Sequence, residues 1–373
     1  MAMRILPWLS VQPSIGEVLD DVRSGKVSTE EAWMTAHMGA PRLHTDGGVR
    51  LHRTDDRVTF QAAHPAFHVR GSGRNKFCVA TASEMPIPLR ATCVRIPVAA
   101  GTLPGADPAK ETASVLALGR AGHVERYATG GADGRLYVGI WTHAAPFAAP
   151  IACRGHVADI TSVRFFPSNE VVLSTSLDFS ARIFSALDGS NPRTLTGHSG
   201  ALHCSAMLGR GKSVVTGSSD GTVRVWDVGR GESVSVLDMQ ASSVQALEAT
   251  DTLVAAALCN GTVQARDVRT AREALALTPP GSPLGGAGAL DTLALCTASH
   301  RILTGSRSGV CTLYDLRDCT SPLAAWWRNG AGTCGLALDE ASALVATADG
   351  LPYRIELSTM QVAEEFAGDV ADV

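Results

Sequence analysis

The five residues Gly217-Ser218-Ser219-Asp220-Gly221 spell the G-x-S-x-G pattern that marks the nucleophile of many hydrolases. In those enzymes the serine sits on a sharp turn between a strand and a helix, where backbone N–H groups stabilise the oxyanion. Here the pattern runs into Thr222-Val223-Arg224-Val225-Trp226, whose alternation predicts a strand instead of a helix. The sequence therefore predicts that Ser219 is a turn residue and that the chain is not an enzyme.

The cysteines and carboxylates lack the arrangement of a metal or cofactor site. The nine Cys residues stand singly, with no C-x-x-C pair. The neighbouring carboxylates Asp20-Asp21 and Asp55-Asp56 are typical of solvated turns. We expect no metal, no cofactor and no disulfide framework, and a reducing compartment, which is the cytoplasm or the nucleus.

Composition limits the kinds of partner. The chain has 373 residues, is 45% hydrophobic and carries a net charge of −4 at pH 7. It has no long basic run, which nucleic-acid binding requires. No apolar run reaches the roughly 18 residues of a membrane span, and the N-terminus is a poor signal peptide. We expect a protein that binds neither nucleic acid nor membranes and that is a monomer by itself.

The turn at Asp220-Gly221 is one of six similar turns along the chain. Each precedes a short strand-like run, and successive turns stand 40 to 48 residues apart. They are Asp133-Gly134, Asp178-Phe179, Asp220-Gly221, Asn260-Gly261, Ser308-Gly309 and Asp349-Gly350. A period near forty residues predicts four-stranded blades of an all-β propeller. Asp-Gly and Asn-Gly favour two-residue hairpins in which both turn residues have a positive φ.

The strand after each turn shows alternating apolar residues. In the third unit Val223 and Val225 share one face, as a sheet packed on another sheet requires. The corresponding positions of the last unit are Pro352 and Arg354. Its apolar residues are instead Leu351, Tyr353 and Ile355. The last strand is therefore either bulged or slipped in register by one residue.

Residues 1–70 differ from this pattern and predict a small α+β domain before a propeller over 71–373. Capping boxes at residues 14–17 and 28–31 predict two helices. Apolar residues of the first helix form one stripe, namely Ile15, Val18, Leu19 and Val22. Alternation over residues 49–53 and 57–63 predicts two strands.

Two Gly-His pairs complete a pattern that resembles the WD repeat. His156 and His198 each stand 22 residues before a turn aspartate. The resemblance implies a buried hydrogen-bond chain of His, Ser or Thr, Asp and Trp. In the third unit the members are His198, Thr216, Asp220 and Trp226. In the second unit they are His156, Ser174 and Asp178, and Phe184 replaces the Trp without an N–H to donate.

A longer stretch is similar to the proteasomal ATPase-associated factor family. It includes Gly155-His156, residues 161–168 and residues 171–174, and it continues over 209–215 and 220–227. Glu31-Ala32-Trp33 and Asp315-Leu316-Arg317 extend the similarity to other parts of the chain.

That resemblance implies a small N-terminal domain and a seven-bladed propeller that acts as a chaperone in assembly of the proteasome regulatory particle. It implies that the propeller binds the C-terminal domain of one proteasomal ATPase subunit and withholds it from the core particle. Six repeats are visible, so either residues 76–98 supply closing strands or the ring is incomplete. The alternative function is a generic WD-repeat scaffold, such as a substrate receptor of a ubiquitin ligase.

Five residues are candidates for partner binding. Trp326 and Trp327 are adjacent on a predicted outer strand, where one ring should pack and the other be partly exposed. Phe179 occupies a turn position that usually carries Gly or a polar residue, so it either lies under a loop or faces a partner. Asp159 and Arg307 are predicted in loops at the same end of the strands, where solvated charge is the ordinary role.

Overall fold

The computed structural model shows an all-β fold with a single helix among the residues that it describes. These residues are 3–12, 14–38, 43–54, 57–73, 76–82, 92–95, 115–121, 124–141, 149–240, 242–281, 283 and 288–366. The chain divides into two compact units. The first contains Met1–Val98, Pro280–Gly288 and Ala294–Val373, and the second contains Ala99–Pro279 and Ala289–Leu293. No helix in the described ranges is long and apolar enough to cross a membrane.

The first unit begins with eight strands and the helix. They are β1 (Arg4–Ile5), β2 (Pro7–Val11), α1 (Ile15–Ser24), β3 (Thr29–Met38), β4 (His44–Thr54), β5 (Arg57–Ala62), β6 (Phe67–Gly73), β7 (Lys76–Thr81) and β8 (Thr92–Arg95). Strands β2 to β5 form an antiparallel sheet in chain order. The apolar stripe of α1 is buried in one core with Leu9, Met34 and Phe77. The predicted first helix and the two predicted strands that follow residue 48 are thus confirmed.

The second predicted helix is wrong, because its residues form β3. Three alternating side chains of this strand are fully buried, namely Ala32, Met34 and Ala36, whereas Trp33 between them is 48% exposed. This is the two-residue period of a strand. Pairing with β2 on one side and β4 on the other overrides the local helix signal. At the start of α1, Ser14 makes no side-chain capping hydrogen bond.

Strands β6 and β7 continue from this sheet into the same core. Phe67 on β6 and Phe77 and Val79 on β7 pack in the cluster that contains Leu9. The predicted boundary near residue 70 falls inside β6, and the division into 1–70 and 71–373 stays a prediction.

The cysteines depart from expectation at one position. Seven of them are free thiols. Cys78 on β7 is disulfide-bonded, and Cys93 is its backbone partner across the pair of β7 and β8. This one disulfide was not expected from cysteines that stand singly, although a single bridge is not a disulfide framework.

The second unit consists of four antiparallel sheets, each built from four strands that are consecutive in the chain. The strands are β9 (Val115–Ala121), β10 (Val124–Gly130), β11 (Leu136–Trp141), β12 (Ile151–Cys153), β13 (Ile160–Phe165), β14 (Val171–Ser176), β15 (Ser180–Ser185), β16 (Arg193–Thr196), β17 (Leu202–Leu208), β18 (Ser213–Ser218), β19 (Thr222–Asp227), β20 (Glu232–Asp238), β21 (Val244–Ala249), β22 (Leu253–Leu258), β23 (Val263–Asp267) and β24 (Glu273–Leu277). We call β13 to β16 the second repeat and β17 to β20 the third repeat.

The sheets of the second and third repeats are each buried on both faces. In the third repeat Val223 and Val225 pack with Val254 of the following sheet. Trp226, on the opposite face, packs with Ile183 of the preceding sheet. The predicted alternation is confirmed, and it reflects burial between two neighbouring sheets.

The hairpin turn of the third repeat has three residues instead of the predicted two. Strand β18 ends at Ser218 and β19 begins at Thr222. The Gly221 N–H donates to the Ser218 carbonyl oxygen over 3.3 Å. Only Gly221, the last turn residue, has a positive φ, at 79°. The expectation of a positive φ at both turn residues is therefore wrong, because an extra residue enters the loop.

Two further sheets follow in the chain. Their strands are β25 (Leu290–Cys296), β26 (Arg301–Ser306), β27 (Val310–Asp315), β28 (Ala324–Trp327), β29 (Thr333–Leu338), β30 (Ser342–Thr347), β31 (Tyr353–Glu356) and β32 (Gln361–Phe366). Strand β1 pairs in parallel with β28, and β8 pairs in parallel with β32. Strands predicted within residues 76–98 are thus present as β7 and β8 and extend the last sheet. Residues 83–91 and 96–98 lie outside the described ranges.

The last repeat keeps the pairing register of the third repeat. In both, the residues four before and four after the turn aspartate face each other: Thr216 pairs with Arg224, and Val345 pairs with Tyr353. The irregularity between β31 and β32 also occurs at the same place between β19 and β20. Neither a slipped register nor a special bulge therefore explains the unusual apolar pattern.

The explanation lies in the face that is buried. Tyr353 and Ile355 are buried in one core with Trp326. On their own sheet they lie on the face that corresponds to the face of Trp226 in the third repeat. On the other face, Leu344 is 40% exposed. The apolar residues are therefore shifted by one position because the last sheet buries mainly one side.

Seven sheets in the described ranges contain four strands that are consecutive in the chain, and β2 to β5 form one of them. This is the blade architecture of a β-propeller, and it confirms the predicted all-β fold class.

Candidate functional site

The loops that precede β13 and β17 meet the hairpin turns of the second and third repeats at one end of their sheets. In the second repeat the Leu177 N–H donates to the Asp159 carbonyl oxygen over 3.0 Å. The equivalent bond in the third repeat joins the Ser219 N–H to the Ala201 carbonyl oxygen over 2.8 Å. We call this end of the two repeats the turn side.

The third repeat has a continuous chain of buried hydrogen bonds below its turn side. The Trp226 Nε1–H donates to Thr216 Oγ1 over 2.8 Å. His198 Nε2 lies 2.9 Å from Thr216 Oγ1, and His198 Nδ1 lies 2.8 Å from Asp220 Oδ2. Because a carboxylate can only accept, Nδ1 carries the proton and Nε2 accepts from the Thr216 hydroxyl. The four residues that the sequence singled out are thus brought together.

The second repeat has the same chain without its last member. His156 lies 2.8 Å from Asp178 Oδ2 through Nδ1 and 2.9 Å from Ser174 Oγ through Nε2. The Phe184 ring is 6.2 Å from the His156 ring, centroid to centroid. Phe184 therefore supplies packing where Trp226 supplies a hydrogen bond.

The turn aspartates also hold the backbone of the loops. Asp220 Oδ2 accepts from the Ser199 N–H over 3.0 Å, and Oδ1 accepts from the Thr222 N–H and Oγ1–H over 2.9 and 2.7 Å. Asp178 accepts in the same way from Val157 and Ser180. Each carboxylate thus fixes the loop before the first strand relative to the hairpin turn.

The protonation states follow from these contacts. Burial lowers the pKa of His156 and His198 below the ordinary value of 6.5, although their aspartate partners act in the opposite direction. Burial by itself raises the pKa of Asp220, but hydrogen bonds from Thr222, His198 and Ser199 outweigh it and lower the pKa to about 2. Near neutral pH the chain therefore joins a neutral imidazole to a charged carboxylate.

The glycine before each of these histidines has a positive φ, 158° at Gly155 and 150° at Gly197, and lies close to an arginine side chain. A Cβ at Gly155 would lie 2.7 Å from Arg182 Nη1, and one at Gly197 would lie 3.2 Å from Arg224 Nη1. The sequence shows the Gly-His pairs but not these neighbours, since Arg182 and Arg224 stand 27 residues later in the chain.

The turn side of the second repeat exposes two apolar side chains. Val157 is 85% exposed and Phe179 is 49% exposed. Phe179 has a φ of 66°, where the five other turns have Gly at 72° to 85°. A left-handed conformation costs a non-glycine residue roughly 1–2 kcal/mol. Asp159, in the same group of loops, is exposed as well. The Phe179 side chain is therefore half exposed, and a partner-binding role for it stays a prediction.

The other candidates for partner binding lie in the first unit. Arg307 is exposed in the turn between β26 and β27. Trp326 and Trp327 are both buried, at 0% and 3% exposure, so neither ring is available to a partner. The expected exposure of one ring is wrong because β1 pairs along the outer edge of β28. Trp326 Nε1 donates to the Tyr353 hydroxyl over 3.0 Å, and Trp327 Nε1 donates to the Ser308 carbonyl oxygen over 3.1 Å.

One side-chain hydrogen bond in the last repeat was not expected from the sequence. Asn329 Nδ2 donates to Asp349 Oδ2, so an amide takes the place of the histidine in the last repeat. The available signal was a polar residue about twenty positions before the turn aspartate, with Gly330 beside it.

The residues that could suggest catalysis or metal binding are not assembled into such a site. Ser219 lies in the turn between β18 and β19, so a strand follows it instead of a helix. His64 and His68 stand four residues apart, a spacing that can bind metal on a helix. His68 is on β6, however, and no group of three or more His, Cys, Asp or Glu side chains in the described ranges could hold a metal ion.

A cavity of about 580 Å³ lies in the second unit and is lined by residues of β9 and β13 and of the segment after β13. Arg164 is the one charged residue of its lining. The Arg164 guanidinium is paired with Glu248, with Nη2 2.8 Å from Oε1. The lining therefore offers hydroxyl groups and an ion-paired arginine, and no general base or nucleophile pair.

Comparison with a known family identifies the repeats. The family described as WD domain, G-beta repeat, matches residues 150–185 and 189–227. These segments contain the second repeat and most of the third repeat, where the hydrogen-bond chains lie.

Three curated proteins show the range of similarity. A 59-residue segment, 16% of this chain, is 46% identical to 14% of the 26S proteasome regulatory subunit RPN14 of Saccharomyces cerevisiae. A 77-residue segment, 21% of this chain, is 40% identical to 12% of Protein tipD of Dictyostelium discoideum. Over 203 residues, 50% of this chain is 28% identical to 51% of the guanine nucleotide-binding protein subunit beta of Zea mays. The chain thus spans about half or less of the length of these relatives.

The blade-like sheets and their turns define the class of protein as a β-propeller. The family match further shows that the chain carries WD40 repeats at residues 150–185 and 189–227, where the His–Asp chains lie. Proteins with these repeats typically act as non-enzymatic scaffolds.

Proposed function

We propose that this WD-repeat protein is a non-enzymatic chaperone for assembly of the proteasome regulatory particle, and that it binds the C-terminal domain of one proteasomal ATPase subunit. The observation that carries the proposal is the 46% identity to a proteasome regulatory subunit of Saccharomyces cerevisiae. It agrees with the family resemblance carried by the residues of the second and third repeats.

The described chemistry supports a binding role. The buried histidines and aspartates are engaged in holding loops, and Ser219 lies in a hairpin turn. Val157 and Phe179 expose apolar side chains on the turn side, which suits contact with another protein.

Affinity purification of the tagged chain from native lysate tests the proposal. A chaperone should recover proteasomal ATPase subunits without the core particle, because it releases them before the proteasome is complete. Recovery of ATPase subunits together with stoichiometric core particle would indicate a resident subunit instead. Recovery of no proteasomal ATPase would refute the proposal, and a tag-only bait provides the control.

A further inference from the structure

Strand β1 is the shortest of the described strands and lies at the edge of its sheet. Its two residues pair in parallel with the last two residues of β28, Arg4 with Trp326 and Ile5 with Trp327. Both residues of β1 are exposed, and the strand has a neighbour on one side only. By contrast, β8 covers the edge of β32 but lies between β32 and β7. Of the two strands that cover a sheet edge, β1 is therefore the more weakly held.

One side chain anchors this segment, and the sheet pairing then ends. The Leu6 N–H donates to the Trp327 carbonyl oxygen over 2.9 Å. The Leu6 side chain is 4% exposed and packs in the core that contains Trp326. The next residue, Pro7, has no N–H to donate and begins β2. We call residues 4–6 the strap.

The strap can leave the edge of β28 while β2 stays in place. Strand β2 pairs with β3 over five residues, and the Leu9 N–H donates to the buried Glu365 carboxylate over 3.1 Å. Segments with few buried contacts open locally at a lower free energy than the core. Release of the strap would uncover the backbone at Trp326 and Trp327 and vacate the space that the Leu6 side chain fills.

An uncovered strand edge is a binding site for an extended peptide. Main-chain hydrogen bonds provide affinity, and pockets for side chains provide specificity. The strap itself shows what this edge accepts, because it occupies the edge in the structure. The matching ligand is an extended segment that runs parallel to β28 and has a leucine-like side chain directly after its two paired residues.

We propose that the strap is an autoinhibitory contact. It occupies a strand-acceptor site at the edge of β28, and this site binds an extended, leucine-containing segment of a partner protein when the strap is displaced. Trp326 and Trp327, which the sequence singled out for partner binding, contribute to this site through their backbone. The inference does not depend on the proteasomal partner proposed above.

Peptide binding to full-length variants tests the site. The probe is a labelled peptide with the sequence of residues 3–8, Met-Arg-Ile-Leu-Pro-Trp, and fluorescence anisotropy measures its affinity. Leu6→Ser weakens the strap, so the peptide should bind this variant about tenfold or more tightly than wild type, whose own strap occupies the site. Ile5→Ser is the matched control, because Ile5 is 42% exposed, and its affinity should stay within about twofold of wild type.

A second peptide, in which serine replaces the leucine, tests the side-chain pocket. It should bind none of the three proteins. Equal affinity of Leu6→Ser and wild type for the first peptide would overturn the proposal, and so would equal binding of the two peptides to Leu6→Ser.

Hydrogen exchange of the wild-type chain tests release of the strap without a substitution. The Leu6 amide should exchange about tenfold or more faster than the Leu9 amide, because the strap opens locally whereas β2 stays in place. Equal protection of the two amides would show that the strap opens only together with β2, which also overturns the autoinhibitory role. This comparison applies even where Leu6→Ser lowers the stability of the fold.

Discussion

At the scale of single residues, the second and third repeats show that the His–Asp link does not depend on the tryptophan. The distances from His156 to Ser174 and Asp178 equal those from His198 to Thr216 and Asp220. Phe184 and Trp226 nevertheless differ in their capacity to donate a hydrogen bond. The carboxylate, which joins two loops, is therefore the member on which the local structure depends most.

Asp220→Asn should lower the free energy of unfolding by about 2–4 kcal/mol. Asp220 accepts four hydrogen bonds, and an amide would place N–H groups against the donors at Ser199 or Thr222, leaving buried groups unpaired. Urea denaturation followed by circular dichroism measures the change. Asp159→Asn, an exposed carboxylate on the same loops, is the control and should change stability by less than about 0.5 kcal/mol. Equal stability of the two variants would show that the chain contributes little.

Stability should also fall as the pH drops below about 6.5. Burial lowers the pKa of His156 and His198 in the folded protein, so the unfolded chain binds protons more readily in this range. The stabilisation is present above the unfolded-state pKa, near 6.5, and is lost as the pH falls below it. A second loss should follow between about pH 4 and pH 2, where Asp220, with a folded pKa of about 2, becomes protonated.

Urea denaturation at pH 7.5 and pH 5.5 measures the first effect. The double variant His156→Asn/His198→Asn should be less stable at pH 7.5 but should lose less stability on acidification. His37 and His203, whose pKa values burial also lowers, remain in both proteins and do not affect the comparison. The same loss in wild type and variant would rule out these two histidines as the source.

At the scale of elements, strands of the N-terminal region complete the edges of later sheets in the first unit. β1 covers the edge of β28, and β8 covers the edge of β32. Covered edges lack the unpaired N–H and carbonyl groups that promote association. The N-terminal region is therefore part of the structure of the last two repeats.

Glu365 on β32 forms a buried ion pair with Arg328, and a hydrogen bond from β2 reaches the same carboxylate. Arg328 Nη2 lies 3.3 Å from Glu365 Oε1, and both side chains are at most 5% exposed. Glu365 also accepts from the Leu9 N–H over 3.1 Å. The guanidinium lies 4.6 Å from the Tyr353 ring centroid and 5.5 Å from that of Trp8. Burial raises the pKa of Glu365, whereas Arg328 and the Leu9 N–H oppose that shift.

Arg328→Met should lower the free energy of unfolding by about 3–5 kcal/mol, because it leaves a buried carboxylate without its counter-charge. The addition of Glu365→Gln should restore part of this loss, since the amide oxygen can still accept from Leu9. Urea denaturation measures both variants. The control is Arg317→Met, whose pair with Asp315 is exposed and should contribute less than about 1 kcal/mol. If Arg328→Met and Arg317→Met have equal effects, the buried pair contributes no more to stability than the exposed one.

At the scale of the whole molecule, the similarity to known proteins is strongest over short segments of the chain. The segment similar to the proteasome subunit covers 16% of the chain, whereas the segment similar to a G-protein subunit covers 50% at lower identity. The longer match reflects the shared repeat, because its turns and buried strands require similar residues even in proteins with unrelated functions. The proposed partner therefore depends on the shorter and closer match.

Removal of residues 1–70 tests the predicted domain boundary. We expect the chain 71–373 to melt at a lower temperature than the full chain, because Phe77 and Val79 would lose the core they share with Leu9 and Met34. The loss of Leu9 would also remove the backbone N–H that donates to Glu365. Differential scanning calorimetry of both chains measures the change. Equal melting temperatures would support an independent domain that begins near residue 71.

Local features of the fold were accessible from the sequence. The spacing of the turns, the alternation of Val223 and Val225, and the helix from Ile15 to Ser24 follow from short-range patterns. The residues of the His–Asp chains could be named because they stand at fixed distances from the turns. Turn geometry and the two-residue period of a strand act within a few residues, so the sequence records them directly.

Contacts between distant segments were decided by the tertiary structure. β1 lies more than three hundred residues before its partner β28, and this pairing buries Trp327. The pairing of β3 with β2 and β4 turned a predicted helix into a strand. Contacts between distant segments also determine which face of the last sheet is buried and bring Arg328 to Glu365. Periodicity shows that a residue will be buried or paired, but only the folded chain determines which segment provides the partner.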